Sequence, residues 1–543
     1  MTDIRIFTFQ DNKTLEKVTW PSTVTAIPDG MFSGCSNLKV VENIRKVTYI
    51  SNNAFSGCNN LIELDLGSCE ISYNAFDGCS KLQSIGESAK CTSVGSQAFY
   101  RCSSLEKIDL SMCTSVGFYA FAGCSSLQTI GNPKLTSIPE NTFGKCSSLE
   151  KIDLSMCTTV GSNAFSGCSK LQNVNISNCT YIGESAFNGC SSITEVDLSA
   201  CKNLGISAFS GCTKLENVIG LEKFKSIPTS AFRRTALKSV ELPVCTTISS
   251  NAFKGCSALQ SVDLPVCVSI SSGNDYTNGA FRDCISLTDL KLPQCTTIGN
   301  GVFYGCSSLH SVDLPKVESI GNNVFWGSGI SKVSLPSTLK SMGYQCFDNV
   351  KEYTFNGTQP AVLAEENNNP AFDGAPFIIR VPESAIDAYK AADIWKNYTD
   401  KIFSISDQLD YDVTTTAMDN QSGLEQAIGA TNMKKVVSLK ATGTINGYDI
   451  FMIRTKMTNL QNLDLTDADI VANGFAYYEG CSTEDNVVGS YSFYKLDNLV
   501  TLKLPKNAVT IGGHAMASCS SLESVDFPKS LKNIESYSFE GCI

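Results

Sequence analysis

Residues 251–270, Asn-Ala-Phe-Lys-Gly-Cys-Ser-Ala-Leu-Gln-Ser-Val-Asp-Leu-Pro-Val-Cys-Val-Ser-Ile, decide the fold. They are one period of a pattern, A-F-x-G-C-x-x-L-x-x-V-x-L-P-x-C-x-x-I-G, that runs through most of the chain. The phenylalanine marks each period: Phe32, Phe55, Phe76, Phe99, Phe121, Phe143, Phe165, Phe187, Phe209, Phe232 and Phe253 follow one another at 21 to 23 residues. Phe281, after a longer gap, Phe303, Phe325 and Phe347 continue the series. A fixed period of this size is the mark of a solenoid. Ordering about 22 residues costs roughly 30 kcal/mol of conformational entropy. The handful of large apolar side chains in one period returns roughly 1.5–3 kcal/mol each on burial. A single coil therefore cannot stand alone, and only a stack with a shared core is stable.

The leucines at set offsets make this a leucine-rich-repeat pattern. Within each coil the segment L-x-x-V-x-L alternates apolar and polar residues and predicts a strand with one buried face. Pro243, Pro265, Pro293, Pro315 and Pro336 end the later strands. The I-G step reads as a turn, and A-F-x-G-C is too short for more than one helical turn. Residues 102–114, CSSLEKIDLSMCT, recur identically at 146–158, so coils were duplicated in pairs. The expected fold is a right-handed, β-rich solenoid with short helical turns, its strands forming one parallel sheet.

The chain has 543 residues, 42% hydrophobic and 17% charged, which fits a folded protein. A net charge of −11 argues against nucleic acid, whose phosphates require a basic face. No apolar run reaches the length of a membrane span. The amino terminus, Met-Thr-Asp-Ile-Arg-Ile-Phe-Thr-Phe-Gln, lacks the apolar centre of a signal peptide and reads as a strand over 4–9. Of 25 cysteines, fourteen occupy the column after the phenylalanine, from Cys35 to Cys542, and nine follow the strand, from Cys69 to Cys295. Stacked strands place equivalent positions about 4.7–4.9 Å apart, a poor match to disulfide geometry. Core thiol ladders are expected. With two histidines and no paired C-x-x-C, no metal site or cofactor is expected.

Trp20 stands at a leucine position and is read as core. Between Ile270 and Ala280 one coil is lengthened by Ser-Ser-Gly-Asn-Asp-Tyr-Thr-Asn-Gly, a surface loop that is either a tolerated bulge or a recognition element. The period fails after Asp348. Residues 350–355 and 377–382 read as strands, 356–370 as loop, and 383–395 as a closing helix with Ile386, Tyr389 and Ile394 on one face. Residues 404–421 read as a polar linker. Helices are predicted at 422–429 and 447–457, strands at 435–441 and 460–465, and repeats resume at Phe493, Met516 and Phe539. The expected division is a first array over 1–405, with its strand–helix closing unit, and a second over 406–543. The second has an N-terminal helical cap and no closing unit, as a piece of something longer would.

The motif A-F-x-G-C-x-x-L-x-x-V-x-L-P resembles the BspA-like leucine-rich repeats of bacterial surface proteins, abundant in Bacteroidetes. Residues 377–402 resemble the closing unit of gut-bacterial members, and 434–470 their opening unit. The resemblance implies a cell-surface or secreted protein, its leader removed, that adheres to host matrix proteins or to other cells. It carries no ligand motif.

Candidate binding residues come from the exposed strand positions. Asp65, Asp109, Asp153, Asp197, Asp263 and Asp313 share one column with Glu241 and Lys291, and should line the inner, concave face. The first four lie two coils apart, about 10 Å, too far to share a calcium ion. Glu195, Asp197, Asp263, Asp289, Lys291 and Asp313 are the positions expected to touch a partner with a basic patch. Tyr304 and Trp326, with Tyr100, follow the repeat phenylalanine and are read as exposed; on adjacent coils, Tyr304 and Trp326 would offer stacking platforms to a sugar. No nucleophile elbow, phosphate loop or paired histidine is present, so catalysis is not expected. Three functions remain: recognition of an extracellular macromolecule through the concave sheet, carbohydrate binding at the aromatic edge, and a structural spacer or fibre component.

Overall fold

The computed structural model describes residues 4–86, 90–273, 275–365, 370–372 and 376–542. Asn274 of the expected insertion, residues 366–369 of the expected 356–370 loop, and the terminal Ile543 lie outside them. Two compact units result, 1–330 with 342–348 and 331–341 with 349–543.

In the first unit the coils are extended on two sides, as short strands in some coils and as single bridges in others. One is the expected V-x-L strand: Ser239–Glu241, Ser261–Asp263 and Asp289–Lys291 pair in parallel, with Val240, Val262 and Leu290 buried in register. The other was read as a simple turn and is a second strand. Ser226–Ile227, Thr247–Ile248, Ser269–Ile270, Thr297–Ile298 and Ser319–Ile320 form their own parallel ladder. The reason is local. Ile227, Ile248, Ile270, Ile298 and Ile320 must be buried, and the Ser or Thr before each tolerates an extended backbone facing water. The coil is thus a flattened loop with a sheet on each of two sides.

The A-F-x-G-C segment closes the coil. Its phenylalanines stack from Phe9 through Phe347, with neighbouring centroids between 5.0 and 5.9 Å and ring planes within 19°. From Phe32 onward every ring is fully buried. The turn is bonded from coil to coil: Phe165 N–H donates to Ala186 O at 2.8 Å, and Phe187 N–H to Ala208 O at 2.8 Å. Its glycine takes a left-handed φ, 75° at both Gly189 and Gly211, and a Cβ on Gly211 would lie 3.5 Å from Gly189 Cα.

The opening strand expected at 4–9 is absent. Residues 6–11 are turn, because Phe9 occupies the repeat phenylalanine position one coil before Phe32 and stacks on it at 5.6 Å. Phe7 and Phe9 N–H donate to Asp29 and Met31 O, as that turn does elsewhere. Trp20 is buried, edge-on to Phe32.

All 25 cysteines are free thiols. In the phenylalanine column each thiol donates to the carbonyl of the phenylalanine of the preceding coil, or of Met516 in the case of Cys542, as Cys58 to Phe32 O at 3.1 Å, Cys168 to Phe143 O at 3.1 Å, and Cys190 to Phe165 O at 3.2 Å. That carbonyl already accepts the backbone N–H of its own cysteine. Cysteine here is a small apolar group that fills a second lone pair. Thr235 takes the same place once, and its hydroxyl donates instead to the phenylalanine carbonyl of its own coil, Phe232 O, at 2.9 Å.

The described residues of the second unit include three parallel sheets of their own. Lys332–Leu335, Glu352–Phe355, Ile378–Val381 and Ile402–Ser404 form one. The helix at 383–395 is shorter than expected. Its α-helical part is Ile386–Ala391, which buries Tyr389, and Trp395 next to it donates to Ala361 O at 2.8 Å. The linker expected at 404–421 is corrected: Asp410–Thr415 is a strand, pairing in parallel with Ser438–Ile445. Tyr411 and Val413 alternate with aspartates and pack on the core, a pattern masked by its polar flanks. Helices Gly423–Ile428 and Gly447–Lys456 follow, the latter with Asn446 and Asp449 as a capping box. The strands Asn462–Asp464, Thr501–Lys503 and Ser524–Asp526 continue this sheet. Val487–Val488, Thr510–Ile511 and Asn533–Ile534 form the third.

Candidate recognition surface

The open side of the V-x-L sheet in the first unit carries the side chains that neither core nor turn absorbs. In Glu195–Asp197, Val196 is buried, while Glu195 is exposed and Asp197 half-exposed. Parallel register carries these positions from coil to coil. Glu241, Asp263 and Lys291 fall in one column, Lys291 bridges to Asp313, and Asp289 pairs Ser261 in the neighbouring column. The structure therefore brings Asp263, Asp289, Lys291 and Asp313 together. Asp197 sits on an earlier coil, opposite Ile219. Lys291 Nζ lies 4.0 Å from Asp263 Oδ2 and 3.7 Å from Asp289 Oδ2. These pairs are solvated and contribute about 0–1 kcal/mol, leaving the carboxylates available to another cation.

The aspartates of the column divide by the residue two places on. Asp109, Asp153 and Asp197 accept the N–H of Ser111, Ser155 and Ser199 at 2.8, 2.9 and 2.8 Å. Hydrogen bonds from those serines hold the three carboxyls below their usual range. They brace the turn that follows the strand. Where Pro265 and Pro315 replace the serine there is no N–H to accept, so Asp263 and Asp313 have no such bracing role.

An open groove of about 990 Å³ crosses the coils before these prolines, lined by Gln128, Glu150, Asp153, Asn173, Glu195 and Asp197 among others. Its floor includes Gly131, at φ 70°, where a Cβ would come within 2.9 Å of Asp109 Oδ1. In the sequence Gly131 is only a gap in the acidic column. The Gly131-Asn132-Pro133 break was the available signal for it in the sequence.

The aromatic edge is less open than expected. Tyr304 is half-buried, with the Arg282 guanidinium carbon 3.8 Å from its ring centroid and Tyr276 at 6.1 Å. Arg282 thus clamps the inserted loop, whose Asp275 caps the single turn Tyr276–Asn278, against the next coil. Trp326 is also half-buried and lies on the coil after Tyr304, where its carbonyl accepts Gly305 N–H at 2.7 Å. Tyr100 is edge-on to Tyr119 and lies under Arg101. The cation over Tyr304 occupies a ring face that a sugar would need.

Among the described residues no helix is long and apolar enough to cross a membrane. No curated protein matches the chain. Among solved structures it is similar to a leucine rich cell surface protein of Faecalibacterium prausnitzii A2-165, at 22% identity, covering 66% of this chain and 91% of that one, with a TM-score of 0.38. A leucine-rich repeat protein of Bacteroides ovatus matches at 16% identity over 98% and 85% of the two chains, TM-score 0.25. One from Eubacterium ventriosum matches at 21% over 60% and 80%, TM-score 0.32. The BspA type leucine rich repeat region matches residues 2–128, 92–216, 182–277, 274–360 and 481–543. With most of its length in that match, and with strand, turn and core repeating as the motif requires, the chain belongs to the BspA-type leucine-rich-repeat family.

Proposed function

We propose that the protein is a non-enzymatic recognition scaffold, displayed on a bacterial surface or secreted, that binds an extracellular macromolecule through the open face of its V-x-L sheet. The observation that carries this reading is the open groove of about 990 Å³, in which Glu150 and Glu195 are exposed beside the turn-bracing Asp153 and Asp197. Glu150 and Glu195 stand in it on coils two apart, with amides between them. Beyond it, Asp263, Asp289 and Asp313 extend the acidic surface around Lys291. A wide, shallow, polar surface suits an extended ligand better than a small molecule, and its charge favours a partner with a basic patch.

The test is an array of extracellular proteins probed with the wild-type chain and with the variant Glu150→Gln/Glu195→Gln/Asp263→Asn. These exposed substitutions should change stability by under about 0.5 kcal/mol each. A captured partner should bind the variant at least about tenfold more weakly, chiefly through slower association, and should release from the wild type as salt rises. A partner held equally by both proteins would show that the sheet face is not the site.

A further inference from the structure

The open face of the first unit carries a second period that its core lacks. Asp65, Asp109, Asp153 and Asp197 recur at 44 residues, on every other coil, each with a glutamate beside it: Glu63, Glu106, Glu150 and Glu195. On the coils between, the same strand positions are uncharged: Gln83, Ser84 and Gly86, then Gln128, Thr129 and Gly131, then Gln172, Asn173 and Asn175. Lys107 and Lys151 each offset one carboxylate on the middle two acidic coils, and all four remain net negative across these positions. Backbone bonds set the two kinds of coil side by side. Glu106 N–H donates to Gln83 O at 3.1 Å, Gln128 N–H to Glu106 O at 2.8 Å, and Gln172 N–H to Glu150 O at 3.1 Å.

The core does not alternate. Ile108, Ile130, Ile152, Val174 and Val196 are buried alike on acidic and neutral coils. Copying of 102–114 into 146–158 supplies only two of the acidic coils. The other two carry their acids in different surroundings, Ile62-Glu63-Leu64-Asp65 and Thr194-Glu195-Val196-Asp197. The alternation ends where Ile219 follows Asp197 in register. Charge on this face is thus independent of burial. It lies where the groove of about 990 Å³ crosses the coils, with Gln128, Glu150, Asp153, Asn175, Glu195 and Asp197 exposed or half-exposed in its lining. Asp109, Asp153 and Asp197 are fixed by the serine N–H groups they accept, so a partner meets carboxylates already in place.

Stacked strands lie about 4.7–4.9 Å apart, which sets successive acidic coils about 9.6 Å from one another. A partner lying along the stack stays in step only if its cations recur at that distance. An extended strand returns side chains to one face at about 6.4–6.8 Å and is out of step at the second aspartate. A polyproline II helix has three residues per turn at about 3.1 Å each, so every third side chain returns to the same side after about 9.3 Å. An α-helix comes near this only at seven residues, about 10.5 Å, and its carbonyls are bonded within the helix. The amides of Gln128 and Gln172 would then face no acceptor. A polyproline II backbone has no internal hydrogen bonds, and its carbonyls are open to those amides.

We propose that the sheet face over residues 106–197 binds a single polyproline II segment with Lys or Arg at every third residue. Its cations sit on the coils of Asp109, Asp153 and Asp197, and its carbonyls over those of Gln128 and Gln172. About seven residues span the three carboxylates. This rests on the sheet face being the surface of recognition, and adds the backbone form and charge spacing of the partner.

The experiment is fluorescence anisotropy, titrating the full chain into labelled peptides with equal numbers of lysines. One is built of Pro-Pro-Lys repeats, one has the same residues with the lysines in a single block, and one is an alanine-rich helix with a lysine at every seventh residue. The wild type should bind the Pro-Pro-Lys repeats at least about fivefold more tightly than either of the others. Glu150→Gln/Asp153→Asn/Asp197→Asn should bind them about tenfold more weakly. Its melting temperature should be unchanged, since Asn175 holds the same column and accepts from Ser177 as the aspartates do from their serines. Gln172→Glu/Asn175→Asp adds negative charge but erases the alternation, so it should narrow the preference for Pro-Pro-Lys over the block. Equal binding of those two peptides by the wild type, or an unchanged preference in that double variant, would overturn the proposal. The sheet face would still stand as the surface of recognition if the triple variant weakens both. Preference for the helical peptide, or no binding of any of the three, would also overturn the proposal, with the protein array still testing the sheet face. A triple variant that binds Pro-Pro-Lys like the wild type would remove the sheet face as the site, and the proposal with it.

Discussion

Cysteine is the residue through which this fold is most easily misjudged. Its abundance suggests disulfides or metal, whereas each thiol of the phenylalanine column finds a backbone carbonyl one coil away. Burial pushes these thiols up, to about 12 at Cys168, Cys212 and Cys306, from 9.0 in the free side chain. The sign follows from proton counting. Below pH 9 the thiols are protonated in both states and their contribution is fully present. Between about 9 and 12 the unfolded chain loses protons that the folded chain keeps, so stability falls as pH rises, by up to about 1.4 kcal/mol per pH unit for each such thiol. Denaturant midpoints should accordingly hold steady from pH 7 to 8.5 and drop steeply above 9. A midpoint flat to pH 11 would contradict the thiol ladder. In native protein at pH 8, alkylation should begin at Cys481 and Cys542, which are only partly buried, and reach the column cysteines only on unfolding.

At the scale of elements, the array is held by periodic strands and the second unit by particular contacts. Asp449 is fully buried in the first turn of helix Gly447–Lys456. Its Oδ1 accepts from Ser422 Oγ at 2.6 Å and Leu424 N–H at 2.9 Å, and its Oδ2 from Asn446 N–H at 3.0 Å. One carboxylate thereby ties this helix to the start of Gly423–Ile428. Asp449→Ala leaves three buried donors without an acceptor and should destabilise the second unit by about 3 kcal/mol or more in urea titrations. Asn446→Ala removes the cap and the bond from its Nδ2 to Met418 O at 2.8 Å, and should cost less, about 1–2 kcal/mol. Equal effects of the two would mean that the helix–helix tie contributes nothing. The sequence revealed both helices, but it could not reveal that Asp449 serves two of them. The Asp410–Thr415 strand was missed for a related reason: its alternation is short, and only its partner Ser438–Ile445 shows which face is buried.

For the molecule as a whole, repetition means that phase matters more than length. Removing residues 166–187, one full coil, joins Phe165 to Asn188 in register and keeps every ladder continuous. Stability in such stacks is close to a sum over coils and their interfaces, so this deletion should retain a cooperative melt and unchanged ellipticity per residue. Removing residues 166–176 shifts the next strand half a turn out of phase and should abolish folding of the first unit. If both deletions behave alike in circular dichroism, the core is not the continuous ladder described above.

The sequence by itself determined the coil, its core and its thiols, because a period of 21 to 23 residues leaves one way to bury phenylalanine, leucine and isoleucine at fixed offsets. It also determined which strand positions face water, since alternation sets side-chain direction. Only the tertiary structure decided what those exposed residues do. Asp153 and Asp197 lie on the open face, yet each is bonded to the serine two residues on, while Asp263 and Asp313 precede prolines and carry no such bond. Tyr304 looks exposed in the sequence but lies under Arg282, a residue of the preceding coil that the sequence does not place beside it. Burial is written in periodicity, a property of one strand; a surface site is a relation between coils, and that relation exists only once the coils are stacked.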